Sequence, residues 1–499
     1  MKQLSKNPIT SQEYSIPENL DDKKSIDDFL SKNKEKPVVV VQGLGFVGAA
    51  MSIVVANGFK DYAVIGIDLP SPMSYWKICG INEGNFPIVA EDPLIQEFYN
   101  NTREKQNFYA TYDAHAYSRA DVIVVDINLD VQKESEENNR LTGFDVDLSG
   151  FKKAIESIGQ NCKEDVLVLV ETTVPVGTCE KIVHPILKEE FKKRGFSLDN
   201  LKIGHSYERV MPGKNYINSI RNFYRVYSGV DEKSAVATRQ FLETIIMTDE
   251  YPLTRLGNTN STEIAKVLEN SFRAMNISFM AEWSRLAEES GANIYEIVSA
   301  IRKRPTHKNI MLPGLGVGGY CLTKDPLLAS WSKQSIIGSS EGLAMSEESV
   351  KVNDQMPLAT FKHFKKHFAN DLKGKKVLLL GVSYLNDVGD TRYTPVQLLY
   401  NLLLSANAEI SLHDPYVSFW EEEEIKVEAD IKTVLDSNNY EVIMITTGHS
   451  IYRNSELVKE HVKKNNTFLY DSIGVFSEEY ISEILSSKNI IKILGRGDI

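Results

Sequence analysis

Polar residues prevail along the chain up to about residue 36, and at Pro37 the pattern changes. The stretch "PVVVVQGLGFVGAAMSIVVAN" predicts an apolar strand, a glycine turn and a helix of small residues. "YAVIGID", "ADVIVVDIN" and "DVLVLVETTVP" predict further short strands with helical segments between them. Runs this continuous in Val, Ile and Leu, alternating with helices, predict a parallel sheet covered on both faces. From Asn260 the period lengthens: Ile264, Leu268, Phe272, Met275, Phe279, Trp283 and Leu286 recur at spacings of three and four. They predict one helix reaching nearly to Gly291, about 45 Å long at about 1.5 Å per residue. Asn260 and Glu263 suit a capping box at its start. Such a helix exceeds the needs of one small domain and suits a bridge between domains or a dimer seam. A second α/β region opens at "KGKKVLLLGVSY" and continues through "AEISLHDPY", "YEVIMITTG" and "TFLYDS". The expected organisation is a polar extension over 1–36, a doubly wound α/β domain over 37–258, a small helical domain carrying the long central helix over 259–370, and a second doubly wound domain over 371–499.

Composition narrows the possibilities. A chain of 499 residues is long enough for two or three domains with sizeable cores. It contains no apolar run of the roughly 18 residues that a membrane span needs, and its N-terminus lacks the apolar region of a secretory signal. Cys79, Cys162, Cys179 and Cys321 show neither metal-ligand spacing nor a disulfide framework, so no metal is expected and a reducing cytoplasm fits. The net charge of −12 argues against nucleic acid and acidic membranes as partners, while leaving room for small anionic ligands.

Gly43, Gly45 and Gly48 form GxGxxG between a strand and a helix, and Asp68 ends the next strand. The glycines permit a tight turn and close approach of a pyrophosphate to the helix N-terminus. The acid suits ribose hydroxyls and repels a 2′-phosphate, which favours NAD over NADP. This makes the first domain Rossmann-like. The alternative is a glycine turn needed only for packing.

Other residues are ambiguous one by one. Glu171 follows "VLVLV", at the carboxyl end of a strand, where ligands of open sheets bind; it could equally be an exposed loop acid. Lys266 and Asn270 share a helical face opposite the apolar stripe, which reads as solvated unless the helix is enclosed on both sides. Cys321 stands behind "GLGVGGY", with Asp325 four residues on. A core filler has no need of those glycines, whereas a nucleophile does.

Taken together, these motifs resemble the UDP-glucose/GDP-mannose dehydrogenase family of NAD-dependent nucleotide-sugar 6-dehydrogenases. The resemblance rests on "GLGFVG", "NEGNFPI" with "EDPL", "ETTVPVGT", "ERVMPGK", "AKVLENSFRAMNI", "PGLGVGGYC", "GDTRYTP" and "HDPY", in the family's order. It implies two Rossmann-like domains joined by a long helix that builds a homodimer or higher oligomer. It also implies oxidation of a sugar C6 alcohol to a carboxylate in two hydride transfers to NAD, for precursors of surface polysaccharide. By the resemblance Cys321 is the nucleophile, forming a thiohemiacetal and then a thioester. Glu171 is the base acting through water, Lys266 and Asn270 stabilise oxyanion character, and Asp325 organises the water. Phe46, Val47, Thr173, Lys324 and Arg392 join the glycines and Asp68 around the dinucleotide. Glu208, Arg209, Val210 and the glycines 314, 316, 318 and 319 lie against the UDP-sugar.

The chain departs from the family pattern at Tyr320 (usually His or Ser), Tyr207 (usually Pro), the "VVDIN" segment (usually ending PTP, with Asn128 as a substitute contact) and Leu385, where many relatives carry a substrate-binding lysine. Leu385 argues against UDP-glucose. "CLTKD", "GHSIY" and the tail "GRGD" are more similar to the branch oxidising UDP-N-acetylhexosamines. The competing expectations are a UDP-glucose 6-dehydrogenase, a single-step hydroxyacid dehydrogenase, which has no use for Cys321 or a second domain, and a non-catalytic sugar-nucleotide sensor.

Overall fold

A computed structural model describes residues 3–8, 10–88, 92–210 and 213–499. Glu91 of "EDPL" and Met211 and Pro212 of "ERVMPGK" lie outside the described residues. The chain divides into two compact units. The first comprises residues up to 130, 146–267 and 331–340; the second comprises 131–145, 268–330 and 341–499.

The first unit is built on an eight-stranded sheet. Its order is Thr254–Arg255, Val226–Gly229, Lys202–His205, Leu167–Val170, Val122–Val125, Val38–Gln42, Ala63–Ile67 and Phe108–Thr111. All neighbours are parallel except Lys202–His205 against Val226–Gly229. The strands Val38–Gln42, Ala63–Ile67, Val122–Val125 and Leu167–Val170 are buried at every position. That is why they read as unbroken apolar runs and not as alternation. The strand order reverses between Val38–Gln42 and Val122–Val125. A crevice therefore opens above the carboxyl ends of these two strands.

The N-terminal stretch is not a loose appendage. Leu4–Lys6 pairs with Glu13–Ser15, and the helix Lys23–Lys32 buries Ile26 completely. The Asp22 carboxylate accepts from the hydroxyls of Tyr109 at 2.8 Å and Thr111 at 2.7 Å. Each of these short elements commits one side chain to the unit (Ser5, Tyr14, Ile26), too few to leave a period in the sequence.

The second unit holds a five-stranded parallel sheet ordered Glu409–His413, Lys376–Leu380, Val442–Ile445, Phe468–Asp471, Ile491–Ile493. It also takes in an antiparallel hairpin, Gln132–Glu136 with Arg140–Asp145. Lys133 of that hairpin pairs with Asp354 at 3.0 Å. The hairpin is polar on nearly every position and gave no strand signal.

The central helix runs from Thr259 to Ser290. Its start differs from the expected capping box. The Asn258 side chain accepts from the Ser261 amide at 2.9 Å, whereas Asn260 donates to Glu180 at 2.7 Å. Glu263 is drawn elsewhere: its carboxylate accepts from the amides of Gly177 at 2.6 Å and Cys179 at 2.8 Å, capping the helical segment that begins at Cys179, far earlier in the chain. The apolar stripe is also turned the other way from a core face. Ile264, Leu268, Phe272, Phe279, Trp283 and Leu286 are exposed, while Lys266, Asn270, Ser271, Ala274 and Ser278 are buried.

Candidate active site

The dinucleotide turn is built as its glycines require. Gly43 has φ +100°, and a side chain on it would strike the Asp126 backbone. One on Gly48 would strike the Gly43 carbonyl, while the space beside Gly45, the cap residue of the helix Phe46–Ala56, is open. The Asp68 carboxylate accepts from the Leu44 amide at 3.1 Å and lies 3.4 Å from the Lys77 ammonium, so the acid also braces the turn. An open cradle at a helix N-terminus with an acid at the end of the second strand fits NAD. Gly43, Gly45, Phe46, Val47, Gly48 and Asp68 are the residues that would hold it. Phe46 is half exposed, as a residue facing a ligand would be, and Thr173 is half-buried.

Beside this crevice the same unit gathers a group of charges. Glu171, expected to face the crevice, is enclosed and ion-paired with Arg225, and both side chains are almost fully buried. The arginine also donates from Nε to the Tyr207 carbonyl at 3.2 Å, so this pair braces the segment leading into Glu208. A base acting through water needs access to water, which Glu171 lacks. Glu208 has that access: its side chain is 14% exposed and its carboxylate lies 3.6 Å from the Lys266 ammonium. Lys266 in turn donates to the Glu208 carbonyl at 2.9 Å and lies 5.3 Å above the Tyr207 ring. Tyr207, where a proline was the expected residue, thus closes one side of the lysine. Arg209 donates to the Tyr224 carbonyl at 2.9 Å, and the Val210 amide donates to the Glu208 carboxylate. His205 is buried against Thr262 at 2.8 Å; burial, then the nearby lysine, pushes its titration down to about 3 and leaves it neutral.

In the second unit Cys321 is exposed and opens the helix Cys321–Ser335. Partial positive charge at a helix N-terminus favours anionic character on a group placed there. One turn further, Asp325 is buried and accepts from Asn270 at 2.6 Å; Lys324 lies 3.8 Å from the same carboxylate. The enclosed helix face that a functional reading demanded of Asn270 is therefore present. The glycines before the thiol have a reason that the sequence did not show. Side chains on Gly316, Gly318 and Gly319 would strike Pro395, Tyr384 and Tyr393, so these glycines admit neighbouring protein; only the space beside Gly314 is open. Arg392 donates to Asp390 at 2.8 Å and lies 5.0 Å over the Tyr320 ring, so Tyr320 also takes part in fixing this loop.

"GHSIY" also has a local task. His449 is buried, donates from Nε2 to Asp414 at 3.0 Å and accepts from the Asp387 amide at 2.8 Å. Asp414 further accepts from the Val382 and Ser383 amides. The segment carrying the exposed Leu385 is thereby tied to the carboxyl end of the second sheet.

This geometry meets its counterpart in known proteins. Models of the UDP-glucose/GDP-mannose dehydrogenase family match residues 37–246 (NAD binding domain), 260–355 (central domain) and 378–478 (UDP binding domain). The chain belongs to this family. It is an NAD-dependent nucleotide-sugar dehydrogenase, with a UDP-sugar as its substrate. Among similar proteins, a UDP-N-acetyl-D-mannosamine dehydrogenase of Methanococcus aeolicus is 27% identical over 94% of this chain and 97% of that one. UDP-glucose 6-dehydrogenase 3 of Oryza sativa is 26% identical over 75% of each. The crystal structure of an NDP-N-acetyl-D-galactosaminuronic acid dehydrogenase from Methanosarcina mazei Go1 superposes with a TM-score of 0.75 at 26% identity, covering 95% of this chain and 98% of that one. Within this dehydrogenase, Asn128 is exposed, and the buried polar residue of "VVDIN" is Asp126. Among the described residues no group of three His, Cys, Asp or Glu could hold a metal, and no helix is long and apolar enough to cross a membrane.

Proposed function

We propose that the enzyme oxidises the C6 alcohol of a UDP-N-acetylhexosamine, UDP-N-acetyl-D-mannosamine first among them, to the carboxylate, supplying an acidic sugar for surface polysaccharide. The observation that carries this reading is the exposed Cys321 thiol at the head of a helix whose next turn holds the buried Asp325–Asn270 pair. NAD, when bound, accepts a hydride in each of two oxidations. The chain's part is to hold the carbon between them. The Cys321 sulfur adds to C6 of the aldehyde and its proton passes to the aldehyde oxygen, giving a thiohemiacetal. Loss of the hydroxyl proton and a hydride leaves a thioester, which water cleaves to the carboxylate and the thiol. Lys266 and Asn270 stabilise negative charge on the C6 oxygen. Asp325 orients Asn270. Glu208, paired with Lys266 and reachable by solvent, takes the proton of the attacking water; Glu171 serves by holding Arg225. Lys324, Arg392 and Thr173 would help to hold the dinucleotide, and Arg209, Val210 and the residues near Gly314 would help to hold the sugar nucleotide.

The N-acetylhexosamine reading draws on the names of the similar dehydrogenases and on Leu385 in place of a lysine. NADH yield against limiting UDP-glucose, UDP-N-acetylglucosamine, UDP-N-acetylgalactosamine and UDP-N-acetylmannosamine checks it. Two NADH per sugar from UDP-N-acetylmannosamine is the expected result. Turnover of UDP-glucose alone overturns the sugar assignment, and one NADH per sugar overturns the two-step chemistry.

The exposed side of the central helix, with Phe272, Phe279 and Trp283 each about half accessible, is an apolar surface suited to a second copy of the chain. A homodimer or higher oligomer is expected in sedimentation, and Phe272→Glu with Trp283→Glu should shift it to monomer. A wild-type monomer at micromolar concentration rules this out. We place the enzyme in the cytoplasm, where NAD is available and thiols stay reduced.

A further inference from the structure

Asp126 follows the strand Val122–Val125, beside the strand Val38–Gln42. Its amide donates to the Gln42 carbonyl at 2.7 Å, and its backbone and Cβ occupy the space where Gly43 and Gly48 would carry side chains. The acid therefore stands directly under the dinucleotide turn. It is only 8% exposed, and its Oδ2 has no hydrogen-bond partner among the described residues.

An enclosed carboxylate with an unpartnered oxygen is costly, and proteins avoid the cost by neutralising the group. The charged groups that reach Asp126 are Glu208 and Arg225. Arg225 is already ion-paired with Glu171, and Lys266 is engaged with Glu208. Three acids thus share two cations. The helix Phe46–Ala56, packed over Asp126, carries no titratable side chain, and His205 is neutral, so neither supplies the missing charge.

We infer that Asp126 positions the cofactor in its neutral form, its carboxylic O–H donating to an oxygen of the dinucleotide lying on the glycine turn. A carboxylate this close to the glycine turn would repel a pyrophosphate bound there. Burial first, and then the Glu208 carboxylate, push the Asp126 titration up to about 8. Below that pH the donor is present and NAD binds at full strength. Above it the acid ionises and affinity falls, by up to about tenfold per pH unit.

The test is NAD affinity by calorimetry, without sugar substrate, from about pH 6 to about pH 9.5 for wild type, Asp126→Asn and Asp126→Ser. Both replacements keep a neutral donor that cannot titrate. Wild type should weaken in mild alkali while both variants stay level, within a few-fold of the wild-type affinity at low pH. A wild-type profile flat to the highest pH overturns the inference. So does a variant that follows the wild-type profile. If one variant fails to fold, the other and the wild-type curve still decide.

Discussion

Cys321→Ser should reduce uronate formation at least about a thousandfold while leaving NAD affinity unchanged. The other three thiols are poorly placed for chemistry. Cys162 and Cys179 are buried, and burial pushes Cys162 up to about 11 and Cys179 well above the usual thiol range; Cys79 is half-buried and also raised by burial. Cys321 is exposed at a helix N-terminus, in a loop fixed from behind by close contacts of Gly318 and Gly319 with Tyr384 and Tyr393. Serine keeps the size of the side chain but is a far weaker nucleophile, so the carbon is not held for a second oxidation. Calorimetry with NAD and product analysis after long incubation separate the two readouts. Acid formed at the wild-type rate by the serine variant would remove the covalent step from the mechanism.

The largest expected effect on stability comes from Arg225→Met. The arginine and Glu171 are enclosed together, at 4% and 0% side-chain exposure, so removing one charge leaves the other buried without its partner. Breaking such a pair costs about 3–5 kcal/mol. It also frees the Tyr207 carbonyl that Arg225 holds, next to Glu208 and Lys266. Urea unfolding of Arg225→Met should show this loss, and the double variant Arg225→Met with Glu171→Gln should recover much of it, because no lone charge remains. A single-variant loss below about 1 kcal/mol would mean that the pair does not brace this segment.

The two experiments fall on residues of very different visibility. Cys321 stood out in the sequence because four glycines precede it. Arg225 carries no signal: it sits in "NFYRVYSG", between two ordinary apolar residues, and its partner Glu171 follows a different strand, more than fifty residues away in the chain. The sequence points to Asn128 and not to Asp126, since which of two polar side chains turns inward just past a strand's end is invisible in a string of letters. Glu263 and the capping box failed for a related reason. A carboxylate near a helix start can cap that helix or, as here, reach the amides of Gly177 and Cys179 in a distant segment.

What the sequence determined by itself is whatever depends on neighbours along the chain. The buried parallel strands show as unbroken runs of branched residues, the dinucleotide turn shows as three glycines between a strand and a helix with Asp68 ending the next strand, and the long helix shows as a stripe at spacings of three and four. Only the tertiary structure decided which side of that helix is enclosed. Periodicity groups Lys266 with Asn270 and Phe272 with Phe279, but it does not say which group other elements cover; in this chain the polar group is buried and the apolar one is exposed. The same holds for the charges. Which acid pairs with Arg225, which with Lys266, and which is left to hold a proton depends on distances that exist only once the strands lie side by side, because electrostatic energy follows separation in space and not along the chain.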